Sequence, residues 1–315
     1  MSGNVEVAIL LATYNGGKYL STQLDSIINQ TYENWKVFIS DDGSTDNTLT
    51  VIKEYVDKYP EKIKLVDKEK PTGCAKKNFM FLASQVKGYK YVMFCDQDDY
   101  WLKDKISVTL RKMQDLEKSH KGRPCLVHTD LEVVDGELKT IKDSFFEFSS
   151  LDSNRSGINH LLIQNIVTGC TMMVNKELLE IAQADVNIDR VLMHDWWYAL
   201  VATTFGGVGF VDRVTMKYRQ HGNNSVGAKA SKDLSYIVTQ IQKGKANHKA
   251  LEDTMIQAEE FYSVYGEQTS GMGLEIVKGY SELISKSKLN RIKYIWNNGI
   301  WKNGVTRKIA QIIYL

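Results

Sequence analysis

Short apolar runs that each end in a polar cluster, and are each followed by a stripe at helical spacing, leave few folds open to this chain. Val5 to Ala12 (VEVAILLA) ends at TYNGG, after which Leu20, Leu24, Ile27 and Ile28 recur at i, i+4, i+7 and i+8, the spacing of one helix face. KVFIS runs into DDGSTDNT and a stripe of Leu49, Ile52 and Val56; KIKLV, a stripe of Phe79, Leu82 and Val86, and the run YVMFC repeat the unit. Strands and helices alternating at this length imply right-handed crossovers and a mostly parallel, Rossmann-like α/β sheet with helices on both faces. In such a sheet ligands sit beyond the carboxyl ends of the strands. TYNGG, DDGSTD and DQDD each follow a strand, so all three are expected to face one crevice.

Beyond Leu102 the pattern loosens. Ile106, Leu110 and Met113 keep helical spacing, CLVHTD and CTMMVN read as short strands, and HDWWYALVATTF reads as a helix with HDWW at its N-terminus. GVGFVD then leads into the polar loop YRQHGNNS, and from about residue 231 no strand candidate remains. The expected division is an α/β domain over residues 1–230 and a helical region over 231–315. Within the latter, Leu289, Ile292 and Trp296, and then Val305, Ile309, Ile312 and Ile313, imply two short amphipathic helices.

Charge separates the same regions. Residues 283–315 hold seven basic side chains and no acidic one, and the whole chain's +2 less those seven leaves −5 for residues 1–282. An acidic body excludes a nucleic-acid-binding face spread over the domain. The basic tail suits peripheral contact with an anionic membrane, or packing on the body or a second copy as a homo-oligomer, and is expected to take no part in chemistry. Cys74, Cys95, Cys125 and Cys170 lack metal-ligand spacing and read as free thiols. MSGNVEV has no signal-peptide character, and no run approaches the roughly 20 apolar residues of a membrane span. A cytoplasmic location, with any membrane contact on the inner face, is therefore expected.

Three motifs carry candidate chemistry. In YVMFCDQDDYW the carboxylates Asp96, Asp98 and Asp99 crowd the end of an apolar run, where without a positive partner they repel one another and resist desolvation. Two carboxylates one residue apart can bracket a divalent ion through oxygen ligands; a basic side chain is the other partner such a cluster can take. In DDGSTDNT, Ser44, Thr45 or Asp46 can cap the next helix, whereas Asp42 is placed either to accept the N3–H of a uracil or thymine base or to serve the turn. In HDWW, Asp195 is either a dipole-stabilising acid at a helix N-terminus or a reactive carboxylate. Trp196 and Trp197 diverge by about 100° on a helix, so one of them should point to a cleft, where it can stack on an apolar sugar face. His221 is either a solvated side chain or a further metal ligand.

The ordered set TYNGGKYLSTQLDSIINQT, DDGSTDNT, CDQDDYW, HDWW and YRQHGNN resembles the family 2 glycosyltransferases of GT-A fold, within them the bacterial rhamnosyltransferase-like branch, over roughly residues 5 to 225. The resemblance implies that Ala12, Tyr14, Asn15, Asp42, Lys77 and Asn78 hold the nucleotide part of a nucleoside diphosphate sugar. Asp96 and Asp98 would be its DxD pair for Mg²⁺ or Mn²⁺, and Asp195 the catalytic base of an inverting transfer to a glycan, lipid-linked or glycoprotein acceptor. By the same branch likeness dTDP-rhamnose is favoured over a UDP-hexose. A sugar nucleotidyltransferase or an inactive scaffold in glycan assembly are the competing readings, the first disfavoured because TYNGGKYL lacks an Arg and the second because Asp96, Asp98 and Asp195 are intact.

Overall fold

The computed structural model describes residues 5–220, 244–267 and 271–315, so His221 and the expected boundary at residue 230 lie outside the described residues. The strands are β1 (Val7–Thr13), β2 (Trp35–Asp41), β3 (Ile63–Leu65), β4 (Tyr91–Asp96), β5 (Tyr100–Trp101), β6 (Cys125–Val134), β7 (Thr140–Lys142), β8 (Met173–Asn175) and β9 (Gly207–Arg219). The helices, in chain order, are α1 (Leu20–Ile28), α2 (Thr48–Lys58), α3 (Ala75–Gln85), α4 (Lys105–Ser119), α5 (Phe145–Phe148), α6 (Ile158–Leu161), α7 (Lys176–Ala182), α8 (His194–Phe205), α9 (Gly244–Tyr265), α10 (Met272–Ser281), α11 (Lys288–Asn298) and α12 (Val305–Tyr314).

All strands join one sheet of order β3-β2-β1-β4-β8-β6-β9-β5, with β7 beside β6. The strands β3, β2, β1 and β4 are parallel throughout, as the strand–helix alternation requires. The far half is mixed: β8 runs antiparallel to β4 and β6, and β9 runs parallel to β6 and antiparallel to β5. The two-residue β5 and the exposed β7 escape a sequence reading because neither has an apolar run of its own; β5 exists through its pairing with Lys217 and Met216.

Strands buried on both faces read as unbroken apolar runs, and β1 shows why. Ala8 and Leu10 face a core with Val92, Phe94, Phe79 and Trp197, while Val7, Ile9 and Leu11 face another with Leu24, Ile52 and Ile106. Successive side chains alternate between the two. Leu251, Met255, Phe261 and Tyr265 of α9 belong to the first of these cores, so the C-terminal helices share the sheet's hydrophobic interior.

The two expected tail helices form, but apart from half-buried Ile292 their apolar stripes face outward. Leu289 is 80% exposed, Trp296 71% and Val305 73%, with Ile309, Ile312 and Ile313 also exposed; Ile295, Ile300 and Leu315 make the buried contacts instead. Of the striped residues Ile292 packs on the core, whereas Leu289, Trp296, Val305, Ile309 and Ile313 are left uncovered by the body. Among the described residues no helix is long and apolar enough to cross a membrane.

Trp197 is fully buried, edge-on to Phe261 with ring centroids 5.4 Å apart. Removing such a side chain leaves a cavity costing about 3–5 kcal/mol. Trp197→Ala should therefore lower the unfolding free energy by that amount, read as a lower urea midpoint at unchanged slope.

Candidate active site

The carboxyl ends of β1, β2 and β4 lie level, with Ala12 opposite Asp96 and Thr13 opposite Asp41, and this brings the three polar clusters together. Gln97, the middle residue of DQD, clamps the first loop: its Oε1 accepts the Tyr14 N–H and its Nε2 donates to the Tyr14 carbonyl, both at 2.9 Å. A Cβ at Gly16 would lie 2.1 Å from Gln97 Oε1, so the clamp requires glycine there. Asn15 links the first loop to the second, donating its N–H to Ser44 Oγ and accepting the Thr45 N–H at 2.8 Å each. Of the candidate capping residues, Asp46 accepts the Thr48 N–H at 3.0 Å.

A cavity of about 1330 Å³ opens beyond these loops, lined by Ala12, Tyr14, Asp42, Asn78, Asp96, Asp98, Asp195 and Trp196 among others. Among the described residues, three sequence candidates are absent from its wall. Asn15 is spent on the loop junction. Lys77 pairs with Asp189 at 2.7 Å. Of the two adjacent tryptophans, either of which could have met the acceptor, Trp197 is in the core and so is no acceptor contact; Trp196 takes the cleft-facing position and donates its indole N–H to the Leu161 carbonyl.

The basic residue beside Asp42 and Asn78 is instead Lys68, which no motif signals. Its ammonium lies 2.6 Å from Asp42 Oδ1 and 2.8 Å from Asn78 Oδ1, while the Asn78 amide donates to the Ser40 carbonyl. Asp42 also accepts the Thr72 and Gly73 N–H groups. Burial pushes this carboxyl up, but Lys68 and Thr72 more than offset it and hold it below the usual range. Asp42 thus both stands in the cavity wall and anchors the 68–73 loop.

The acidic cluster divides into two parts. Asp99 points inward: its Oδ1 accepts the Arg219 N–H at 3.0 Å, its Oδ2 has no hydrogen-bond partner, and burial with the charges of Asp98 and Asp96 pushes its pKa well up. Below it, Lys105 is completely buried, bonded to Thr215 Oγ1 at 3.3 Å, its pKa brought down by burial to about 8. Asp96 and Asp98 face the cavity. Burial, then Asp98 and Asp195, push Asp96 above the carboxylate range. One oxygen each from Asp96 and Asp99 and the Cys170 sulfur lie within 4.8 Å of one another. That grouping joins Asp96 to the inward-facing Asp99 and a thiol rather than to Asp98; the fit of a hard divalent cation at the cavity rests instead on Asp96 and Asp98, two carboxylates one residue apart that both line it, since such ions favour oxygen ligands.

Asp195 occupies the first turn of α8. Its Oδ1 accepts from Asn165 Nδ2 at 3.0 Å and from the Trp196 N–H, and its Oδ2 accepts the Gly169 N–H at 2.9 Å. Asn165 is itself fixed, exchanging hydrogen bonds with the Val167 backbone. A Cβ at Gly169 would lie 2.9 Å from His194 Nε2 and 3.3 Å from Asp195 Oδ2. Burial raises Asp195 to about 6 against those donors, a value suited to taking a proton near neutral pH. His194 is no substitute as the base, because it is stacked on Phe79 at 4.4 Å and brought to about 3 by burial, and so stays neutral.

The tail contributes to this wall too. Lys302, Arg307, Gln311 and Tyr314 line the cavity, so the segment expected to take no part in chemistry borders the site.

Residues 8–147 match glycosyl transferase family 2. The chain is 34% identical over 234 residues, 72% of its length and 76% of the relative's, to the dTDP-rhamnosyl transferase RfbG of Shigella flexneri. It is 27% identical over 75% of its length, and 88% of the relative's, to the putative teichuronic acid biosynthesis glycosyltransferase TuaG of Bacillus subtilis. The chain belongs to glycosyltransferase family 2 and is a glycosyltransferase. Its fold is that of the GT-A enzymes: S. aureus TarS with UDP-GlcNAc is similar at TM-score 0.52 and 16% identity, over 94% of this chain and 88% of that one. The Pyrobaculum calidifontis mannosyltransferase with GDP-Man and Mn²⁺ is similar at TM-score 0.51 and 14% identity, over 98% and 83%.

If Asp195 takes the acceptor proton it must be ionised, so transfer at saturating divalent cation should fall as pH drops through about 6. Asn165→Ala removes a donor that favours the charged form, so the acidic limb of kcat/KM should move to higher pH; an unmoved limb would assign it to another group.

Proposed function

We propose that the enzyme transfers a sugar, with inversion at the anomeric carbon, from a nucleoside diphosphate sugar to a hydroxyl of a growing bacterial cell-surface glycan. The observation that carries this reading is one buried carboxylate tuned to about 6, Asp195, sharing a cavity with Asp96 and Asp98. The acceptor oxygen bonds to the anomeric carbon as the bond to the diphosphate oxygen breaks, and the proton passes to Asp195. Asn165 and the Gly169 N–H orient the carboxylate; both are positioning groups. Among the cavity-lining carboxylates Asp42 is occupied by Lys68 and the 72–73 backbone, which favours a single displacement over a covalent intermediate.

Asp96 and Asp98 would hold Mg²⁺ or Mn²⁺, whose Lewis acidity would offset charge on the departing diphosphate. Tyr14, 58% exposed at the cavity edge, would stack on the base. Recognition of a thymine or uracil N3–H at Asp42 exchanges a bond now made by Thr72. The likeness to RfbG favours dTDP-rhamnose as donor, and a lipid-linked glycan as acceptor accords with the outward apolar stripes of α11 and α12, which we assign to peripheral contact with an anionic membrane.

Turnover of dTDP-rhamnose should exceed that of UDP-glucose and UDP-galactose and vanish in EDTA; faster turnover of a UDP-hexose overturns the donor choice. Asp195→Asn should keep nucleotide affinity and lose about 10²–10⁴-fold in transfer. Ile309→Ser with Ile313→Ser should abolish co-sedimentation with phosphatidylserine vesicles, and unaltered sedimentation alongside a smaller assembly mass would assign the stripes to a subunit interface.

A further inference from the structure

The cavity wall carries charges of both signs: Asp42, Asp96, Asp98 and Asp195 line it, and so do Lys302 and Arg307, which lie close enough to act on each other, with no carboxylate acting on Lys302. Among the described residues the Lys302 ammonium makes no hydrogen bond or ion pair; only its backbone is held, by Gln311 Oε1 at 2.9 Å. The Arg307 guanidinium donates to the Ser149 and Ser150 carbonyls at 2.7 and 3.2 Å, neutral partners that fix its direction and leave its charge uncompensated. Burial, with Arg307 beside it, brings Lys302 down to about 8, so it is a cation at neutral pH. Two converging cations without a counter-charge are costly in a half-desolvated place, and a rigid guanidinium beside a point-charge ammonium suits a phosphate.

The protein spends structure on holding this pair. Gln311 is buried, anchoring Lys302 through its Oε1 and the Ile300 carbonyl through its Nε2 at 2.8 Å. Gln164 Oε1 accepts the Asn303 N–H at 2.7 Å, which joins the basic turn to the segment leading through Asn165 to Gly169 and hence to the Asp195 carboxylate. The turn that carries Lys302 is thus tied to the same wall segment that holds Asp195.

We infer that Lys302 and Arg307 form an oxyanion subsite that binds a phosphate group of the acceptor. This rests on the transferase reading above for the word acceptor, but the binding is measurable without turnover. The phosphate can come from a lipid-linked or from a soluble phosphorylated glycan. Binding of farnesyl phosphate and of inorganic phosphate, in EDTA so that the carboxylate pair does not compete through metal, should weaken at least about tenfold in Lys302→Gln, the scale of one charge-assisted hydrogen bond. Lys302→Arg should restore it. Tighter binding of farnesyl phosphate assigns the lipid source and equal binding the soluble one, each supporting the subsite. Affinity unchanged in Lys302→Gln and in Arg307→Gln, both with wild-type melting temperature, overturns it. Nucleotide-sugar turnover failing in the wild type while Lys302-dependent phosphate binding persists would count against the transferase reading alone.

Discussion

The electrostatics of the site depend on how three carboxylates within four residues are tolerated at the end of a buried strand. A basic side chain and a metal are both chemically suited to be the missing partner, and the cluster divides between the interior and the cavity. Asp99 is taken inward by the Arg219 backbone, within the field of buried Lys105. The Arg219 guanidinium also donates to the Asp98 carbonyl at 2.7 Å and lies over the Tyr19 ring, so β9 braces the turn whose side chains remain for the cavity. Taking one carboxylate inward leaves Asp96 and Asp98 as the pair that lines the cavity.

The same economy of polar groups recurs at Asp195. A helix N-terminus and three N–H donors favour its charge, and still burial prevails to about 6. A fully solvated aspartate would be too weak a base at this position, and a fully unsatisfied one would not ionise. The donors set the orientation while the apolar surroundings set the basicity, and neutral His194 packed between Phe79 and Phe94 supplies part of those surroundings.

Legibility in the sequence follows how local each feature is. The β1–α1–β2–α2 alternation, the strand ends and the α8 start are readable because period and turn chemistry are written in neighbouring residues, and so are Asp96, Asp98 and Asp195. Lys68 reaches Asp42 from 26 residues away, and Asn165 reaches Asp195 from 30; both sit in stretches with no period. Lys77 and Lys68 are equally basic in sequence, and only the direction of α3 sends the former to Asp189. The adjacent Trp196 and Trp197 are separable in principle by their 100° offset, but which of them meets the cavity depends on α9, a helix some 50 residues later. The tail reads as an appendage because its apolar residues form a continuous stripe. The residues that join it to the cavity, Lys302 and Gln311, are polar and carry no periodic signal.

Helix α12 has two occupied sides: Arg307, Gln311 and Tyr314 on the cavity wall, Val305, Ile309 and Ile313 to the outside. Each residue advances a helix by about 100°, and Gly304, at φ 84°, sets where that rotation begins. Such an element tolerates exchange of side chains far better than a change in their number. A single residue inserted between Gly304 and Arg307 would turn isoleucines toward the polar cavity and carry the guanidinium out of it, leaving composition, charge and helix length almost untouched. In this stretch, spacing is therefore held more tightly than identity.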